Sequence, residues 1–404
     1  IAAAYFAVTL PEVGGLGGLV DKLAHKVGPG GVNYLNMLPD FSSNWDLAVA
    51  VFIMPLAVQW WAVWYPGAEP GGGSYIAQRM LASKSEKDSL GGTLFFNLAH
   101  YVLRPWPWIL TGLASIIVFP ELSDIRKAFP NVDPALVGHD MAFSAMLKFL
   151  PAGWIGLMVG GLIAANSSTI LTHLNWGASY LVHDFYRRFM HPGDTEQHYV
   201  KAGRWATIIL FVLSSSTVFI LQSAQDNFNI MLQVGAGTGL LYLLRWFWWR
   251  ITAWCEIVAM VSSFLISILF LILHKAGIGF GTAPELLMTV IGTTICWMAT
   301  AFIGPQTDRA TLISFYKQVR PFGPGWTQVR IEAGVSDAEA AAYAREDNIP
   351  LAMLGWVAGT ALVWSGLFTV GNYLYGRMGY TAVLAVVMVA SGAVVISVTR
   401  RLWK

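Results

Sequence analysis

Charge is what this sequence has least of. Only 12% of its 404 residues are Asp, Glu, Lys or Arg, about half the share found in a soluble domain. With 55% of its residues hydrophobic and a mean hydropathy of +0.55, the chain cannot clothe a globule in polar surface. It reads as an all-α, polytopic membrane protein. The net charge of +2 is too small for a nucleic-acid partner. Two cysteines, Cys255 and Cys296, lie inside apolar runs; they exclude a disulfide framework and read as buried thiols. No Ser-His-Asp or paired-carboxylate arrangement falls in a span, so an enzyme is not expected. His173, His183 and Asp184 do not share a helical face at metal-ligand spacing, and no metal beyond an alkali ion is expected. The glycine run Gly71–Gly73 lacks the lysine-hydroxyl ending of a phosphate loop, and no strand precedes it.

What is present is a series of apolar runs. A span needs about 20 residues, and about ten candidates are legible: the fragment Ile1–Leu10, then Trp45–Tyr65, Gly91–Phe119, Phe143–Leu181, Trp205–Leu221, Phe228–Leu244, Ala253–Leu273, Leu286–Ile303, Leu351–Leu374 and Ala382–Val398. The fourth is too long for one span, and a short amphipathic approach before Leu150-Pro151 is expected. With Ile1–Leu10 running outward, seventeen Lys and Arg fall in inner loops and six in outer loops. That bias places the C-terminus in the cytoplasm. Eighteen Trp and fourteen Tyr suit the two aromatic belts, and Arg245–Arg250 (RWFWWR) reads as an interfacial anchor with snorkelling arginines. Residues 14–44 form an outer loop rich in Gly and Pro. Residues 304–349 form an inner loop whose second half, Ser336–Glu346, predicts a short helix.

Polar groups inside the spans are the candidate functional residues. Within Phe143–Leu181, the run Ala164–Thr169 (AANSST) joins small residues to hydroxyls. Such a run serves close helix packing, or it serves a cation, since hydroxyls and a helix carbonyl are hard oxygen ligands. In the third span Arg104 lies at mid-membrane depth, where a charge is a functional hypothesis by default. Asn97 and His100 precede it on one face, and Pro105 and Pro107 break the helix there. Two roles stay open for Arg104: a structural partner of nearby groups, or a receiver for a solute carboxylate. Gln59 and Gln233 are amides within spans that need a partner, which is protein, water or solute. The glycines of Gly235–Gly239 permit bending and close approach equally.

The stretch GLIAANSSTILTHLNWGASYLVHDFYRRF resembles the eighth core helix and following loop of the sodium/solute symporter family. QRMLASKSEKDS resembles the same family's Gln-Arg element after its sixth core helix, and FYKQVRPFGPGWTQV resembles a bacterial branch. The resemblance implies the second half of a LeuT-type inverted-repeat core plus peripheral helices. It implies a sodium ligand set of the Ala165 carbonyl and the Ser168 and Thr169 hydroxyls. Taken with the polar groups inside the spans, it leads to an expected solute site near Gln59, Asn97, His100, Tyr101, Arg104 and Gln233. Tyr101 stands where sugar-carrying members place a lysine, and the stretch between Trp61 and Tyr75 is longer than theirs.

The expected organisation follows. Residues 1–13 end a span of the missing first repeat, 14–44 are the outer loop, and 45–244 are the second repeat of five helices. Residues 245–303 hold two peripheral spans, 304–349 the cytoplasmic loop, and 350–404 two C-terminal spans and a basic tail. The first core helix of the resemblance has no counterpart here, and an N-terminally incomplete chain is the expectation. The expected function is sodium-coupled symport of a small organic solute by alternating access, in the lipid of a bacterial inner membrane. The alternative is a transporter-like scaffold or sensor subunit, with a protein partner supplying or replacing the missing half.

Overall fold

The structure is a computed structural model. It describes residues 1–58, 79–219 and 234–402, except positions 29–30, 32, 40, 43–44, 135–136, 322 and 347. Among the described residues there is no strand, only the isolated bridges Val27–Asn33 and Trp248–Gly325. The protein is an all-α polytopic membrane protein. Six described helices are long and apolar enough to cross a membrane: Glu86–Val118, Ala152–Met190, Ala253–His274, Ala283–Ile303, Ile349–Leu374 and Met378–Leu402. The other expected spans are described in part. Trp45–Val58 is helical, and residues 59–78 lie outside the described set. The helix Glu196–Thr217 opens with Glu196, Lys201 and Arg204, so its apolar part begins only at Trp205.

The chain divides into two compact units, Ile1–Val13 with Leu110–Asn227, and Gly14–Ile109 with Phe228–Lys404. In the first, Pro151 sets the geometry. The residue before a proline is driven out of the helical region, and Leu150 is extended with ψ 140°. The expected approach is therefore separate: a helix Ala142–Met146 and a 3-10 turn Leu147–Phe149 precede the break, and Ala152–Ser179 follows it. Leu147 and Leu150 pack with Ala3 against Phe6, Ile155 and Met158. Past Ser179 the winding widens to π-helix through Met190, closed by the His191 N–H donating to the Tyr186 carbonyl at 2.9 Å.

In the second unit, Ala253–Lys275 pairs with Thr282–Ile303, and Ile349–Leu374 with Met378–Leu402. Both predicted loops hold more helix than their polarity suggested. The outer one carries Gly15–Ala24, and the inner one Arg309–Val319 and Thr327–Glu332 as well as Asp337–Glu346. Short amphipathic helices lack the long apolar runs that mark spans, which is why they were missed. Residues 309–333 fold onto the Arg245–Arg250 corner. Trp249, Leu312, Tyr316, Trp326 and Val329 form one buried cluster, and the Trp326 indole N–H donates to the Trp246 carbonyl at 3.1 Å. The corner is thus a packing site and more than an interfacial anchor.

Within Gly235–Gly239 the chain leaves the helix between residues 235 and 238. Gly237 has φ +83°, and a Cβ there would lie 2.6 Å from Thr293 Cβ. Its carbonyl accepts the Trp297 indole N–H at 3.1 Å. Conformation and close approach both require glycine at this position.

Candidate functional site

The hydroxyl cluster lies on Ala152–Ser179, a helix of 28 residues. The Thr169 Oγ1 donates to the Ala165 carbonyl at 2.9 Å, and the Thr172 hydroxyl to the Ser168 carbonyl at 2.7 Å. The His173 Nδ1 lies 2.9 Å from the Thr169 carbonyl. Residues 165, 168, 169 and 172 thus form one oxygen-bearing strip, the first three exposed and Thr172 half-buried in the described chain. A threonine whose proton is committed to a carbonyl keeps its lone pairs for another acceptor role. The strip offers the carbonyl of Ala165 and the hydroxyls of Ser168 and Thr169 from a single helix. A dehydrated sodium ion needs roughly five or six oxygens, so this donor set fits part of a coordination shell.

The Asn97–Arg104 face is built on a second change of winding. Glu86–Asn97 is α-helical, and Leu98–Leu103 is π-wound, with the Arg104 N–H donating to the Ala99 carbonyl, five residues back, at 3.1 Å. Pro105 then starts a new helix running to Val118. Proline suits that first position, where its missing N–H costs nothing. An Arg104 Nη1 donates to His100 Nδ1 at 2.8 Å. Arginine can only donate, so His100 accepts at Nδ1 and is neutral with its proton on Nε2. The guanidinium also lies 4.8 Å over the Trp108 ring. His100 stacks on Phe96 at 5.0 Å and meets Tyr101 edge-on at 4.6 Å.

The expected face is therefore formed by His100 and Arg104, with Tyr101 against the imidazole. Asn97 bonds within its own helix, its amide donating to the Thr93 carbonyl at 2.8 Å. Arg104 is exposed on the surface of its helix. Phe96 and Trp108, which shape this face, were not singled out from sequence; their four-residue spacing from His100 and Arg104 was the available signal. Gln59 and Gln233 lie outside the described residues.

Long apolar helices interrupted by prolines and wide turns, with polar groups at the interruptions, define a multi-pass membrane protein. The chain belongs to the sodium:solute symporter family, whose family model matches residues 4–294. It is 27% identical over 203 residues to the sodium/glucose cotransporter of Vibrio parahaemolyticus, covering 48% of this chain and 37% of that protein. It is 24% identical over 212 residues to the bovine sodium/myo-inositol cotransporter 2, covering 49% of this chain and 31% of that protein. To the sodium/proline symporter of Haemophilus influenzae it is 27% identical over 157 residues, 36% of this chain and 30% of that one. The matches span about a third of the length of these relatives. They are symporters, not enzymes.

Proposed function

We propose that this chain carries out sodium-coupled symport of a small organic solute by alternating access in a bacterial cytoplasmic membrane, its C-terminus inside. The family match over residues 4–294 carries this reading. Sodium, the co-transported ion, takes the Ala165 carbonyl and the Ser168 and Thr169 hydroxyls as part of its shell. The Thr169 hydroxyl lies 2.9 Å from the Ala165 carbonyl, which puts two of these oxygens side by side on one face of the helix, as a shared cation would need. The solute contacts would come from Gln59, Asn97, His100, Tyr101, Arg104 and Gln233. Arg104 has further N–H donors beyond the one given to His100, which favours a solute bearing a carboxylate or another anionic group. Residues 45–244 serve in this reading as the second inverted repeat.

The test is uptake into proteoliposomes driven by an inward sodium gradient, with labelled proline, glucose and myo-inositol as the first panel. The expected result is sodium-dependent accumulation of one class of solute, lost in the Ser168→Ala, Thr169→Ala double variant. Wild-type sodium dependence in that variant would remove the assignment. No flux of any solute, with sodium-independent melting, would favour the scaffold reading.

A further inference from the structure

The five residues between Met190 and Glu196 bring together three groups that no single helical face would. The π-wound segment ends at Met190, and the next helix starts at Glu196 with Thr195 as its cap, accepting from the His198 N–H. Between them Gly193 takes φ +90° and turns the chain back. Tyr199 pins both sides of the turn. Its hydroxyl donates to the His191 carbonyl at 2.6 Å and accepts the Asp194 N–H at 2.9 Å, and its side chain is buried. The turn is therefore held by bonds that do not use the side chains of His191, Asp194 or His198.

Those three side chains converge. His191 Nδ1 is 3.2 Å from Asp194 Oδ2, and His198 Nε2 is 3.7 Å from the same oxygen. One ligand atom from each lies within 4.8 Å of the others. In a tetrahedral zinc site with bonds near 2.0–2.1 Å, neighbouring ligand atoms sit about 3.3 Å apart, and the two measured edges bracket that value. The Tyr186 ring stacks on both imidazoles, at 4.7 Å and 5.7 Å. Its hydroxyl is 2.9 Å from His198 Nε2. Arg187, the nearby cation in sequence, is paired with Glu196 at 3.0 Å. His191 and Asp194 are exposed, so an ion has access from water.

We propose that His191 Nδ1, Asp194 Oδ2 and His198 Nε2 form a site for one divalent transition-metal ion of the zinc class, tying the end of one membrane helix to the start of the next. Two imidazoles and one carboxylate suit zinc, cobalt, nickel or copper; magnesium and calcium prefer an all-oxygen shell. In the metal-free protein His198 Nε2 is held by the Tyr186 hydroxyl at 2.9 Å, so an ion takes the place of that hydrogen bond; three protein ligands then leave a fourth position for water. The rival account is a metal-free cluster in which Asp194 lies between two histidines.

The test strips the purified protein with chelator and titrates it with cobalt(II) alone, read by visible d–d absorption, and then adds zinc or magnesium. One equivalent of cobalt should bind, with the strong absorption of a low-coordinate nitrogen-oxygen site; zinc should displace it and magnesium should not. His198→Ala and the near-isosteric Asp194→Asn should each weaken cobalt binding by about tenfold or more, with the metal-free melting temperature reporting their folding. His183→Ala, exposed on the preceding segment and outside the cluster, should bind as wild type. Absence of saturable binding in the wild type, equal binding in Asp194→Asn, or displacement by magnesium would overturn the proposal.

Discussion

Thr169 has one hydroxyl proton, and it goes to the Ala165 carbonyl at 2.9 Å. The same residue type one turn on, Thr172, does likewise with Ser168. Hydroxyl back-bonding of this kind is common in membrane helices, so the spacing of AANSST left packing and ion binding open. The geometry leaves both compatible, which is why the assignment rests on a sodium measurement. Gly237 gives a sharper forecast. Alanine there would take on φ +83° and press against Thr293 and the Val290 carbonyl. Gly237→Ala is expected to cost about 1–3 kcal/mol, read as a lower melting temperature in detergent. An unchanged melting curve would mean that the turn at residues 235–238 is not built as described. The sequence announced glycines at this place, but it could not say which one carries the positive φ. That depends on Trp297, sixty residues on, reaching the Gly237 carbonyl.

At the scale of elements, legibility followed chemistry that acts locally. The breaks at Leu150-Pro151 and Arg104-Pro105 were readable because proline removes a donor and constrains its neighbour. The π-wound turns were not readable, since the i→i+5 register leaves no compositional mark. The packing of residues 309–333 onto the Arg245–Arg250 corner was equally hidden, because the Trp326–Trp246 bond joins residues eighty apart. Trp326→Ala should open that cap. Tryptophan truncation in a packed cluster costs about 3–5 kcal/mol, enough for trypsin to cut faster after the half-buried Arg309 and Arg330. Unaltered cleavage would show that the cluster does not hold the cap.

The helix Asp337–Glu346 carries its own prediction. Glu339 accepts the Ser336 N–H and hydroxyl at 2.8 Å, and Ser336 accepts the Glu339 N–H at 3.2 Å, a reciprocal cap. The Ser336 backbone and side-chain bonds hold the Glu339 carboxyl below its usual value. A lowered folded value means stability that is complete above the ordinary glutamate range, about pH 4.3. It is lost as pH falls from there through the lowered value. Amide exchange at residues 337–340 should therefore show protection fading in that acid window. In Glu339→Gln the protection should be weaker at neutral pH and no longer follow this acid transition. A wild-type profile flat across the window would contradict the cap.

At the scale of the molecule, the scarcity of charge was the most informative feature of the sequence. It dictated membrane spans, and six stretches among the described residues are long and apolar enough to cross a membrane. The Ala152–Met190 span has none of its most apolar window buried, and Leu157, Ile163 and Leu171 are each at least 60% exposed. Such a surface belongs in hydrocarbon or against protein. The candidate sites were only half legible. Arg104 with His100 could be read from a four-residue spacing, but the His191–Asp194–His198 cluster depends on the turn at Gly193, where helical periodicity says nothing.

The central claim is a sodium-coupled transporter, and the most direct measurement is the melting temperature of the purified protein in sodium against potassium or choline at equal ionic strength. The account predicts an upward shift that saturates with sodium, as binding to the folded state requires, and its loss in Thr169→Ala. Identical curves in the three cations, or an undiminished sodium shift in Thr169→Ala, would contradict it.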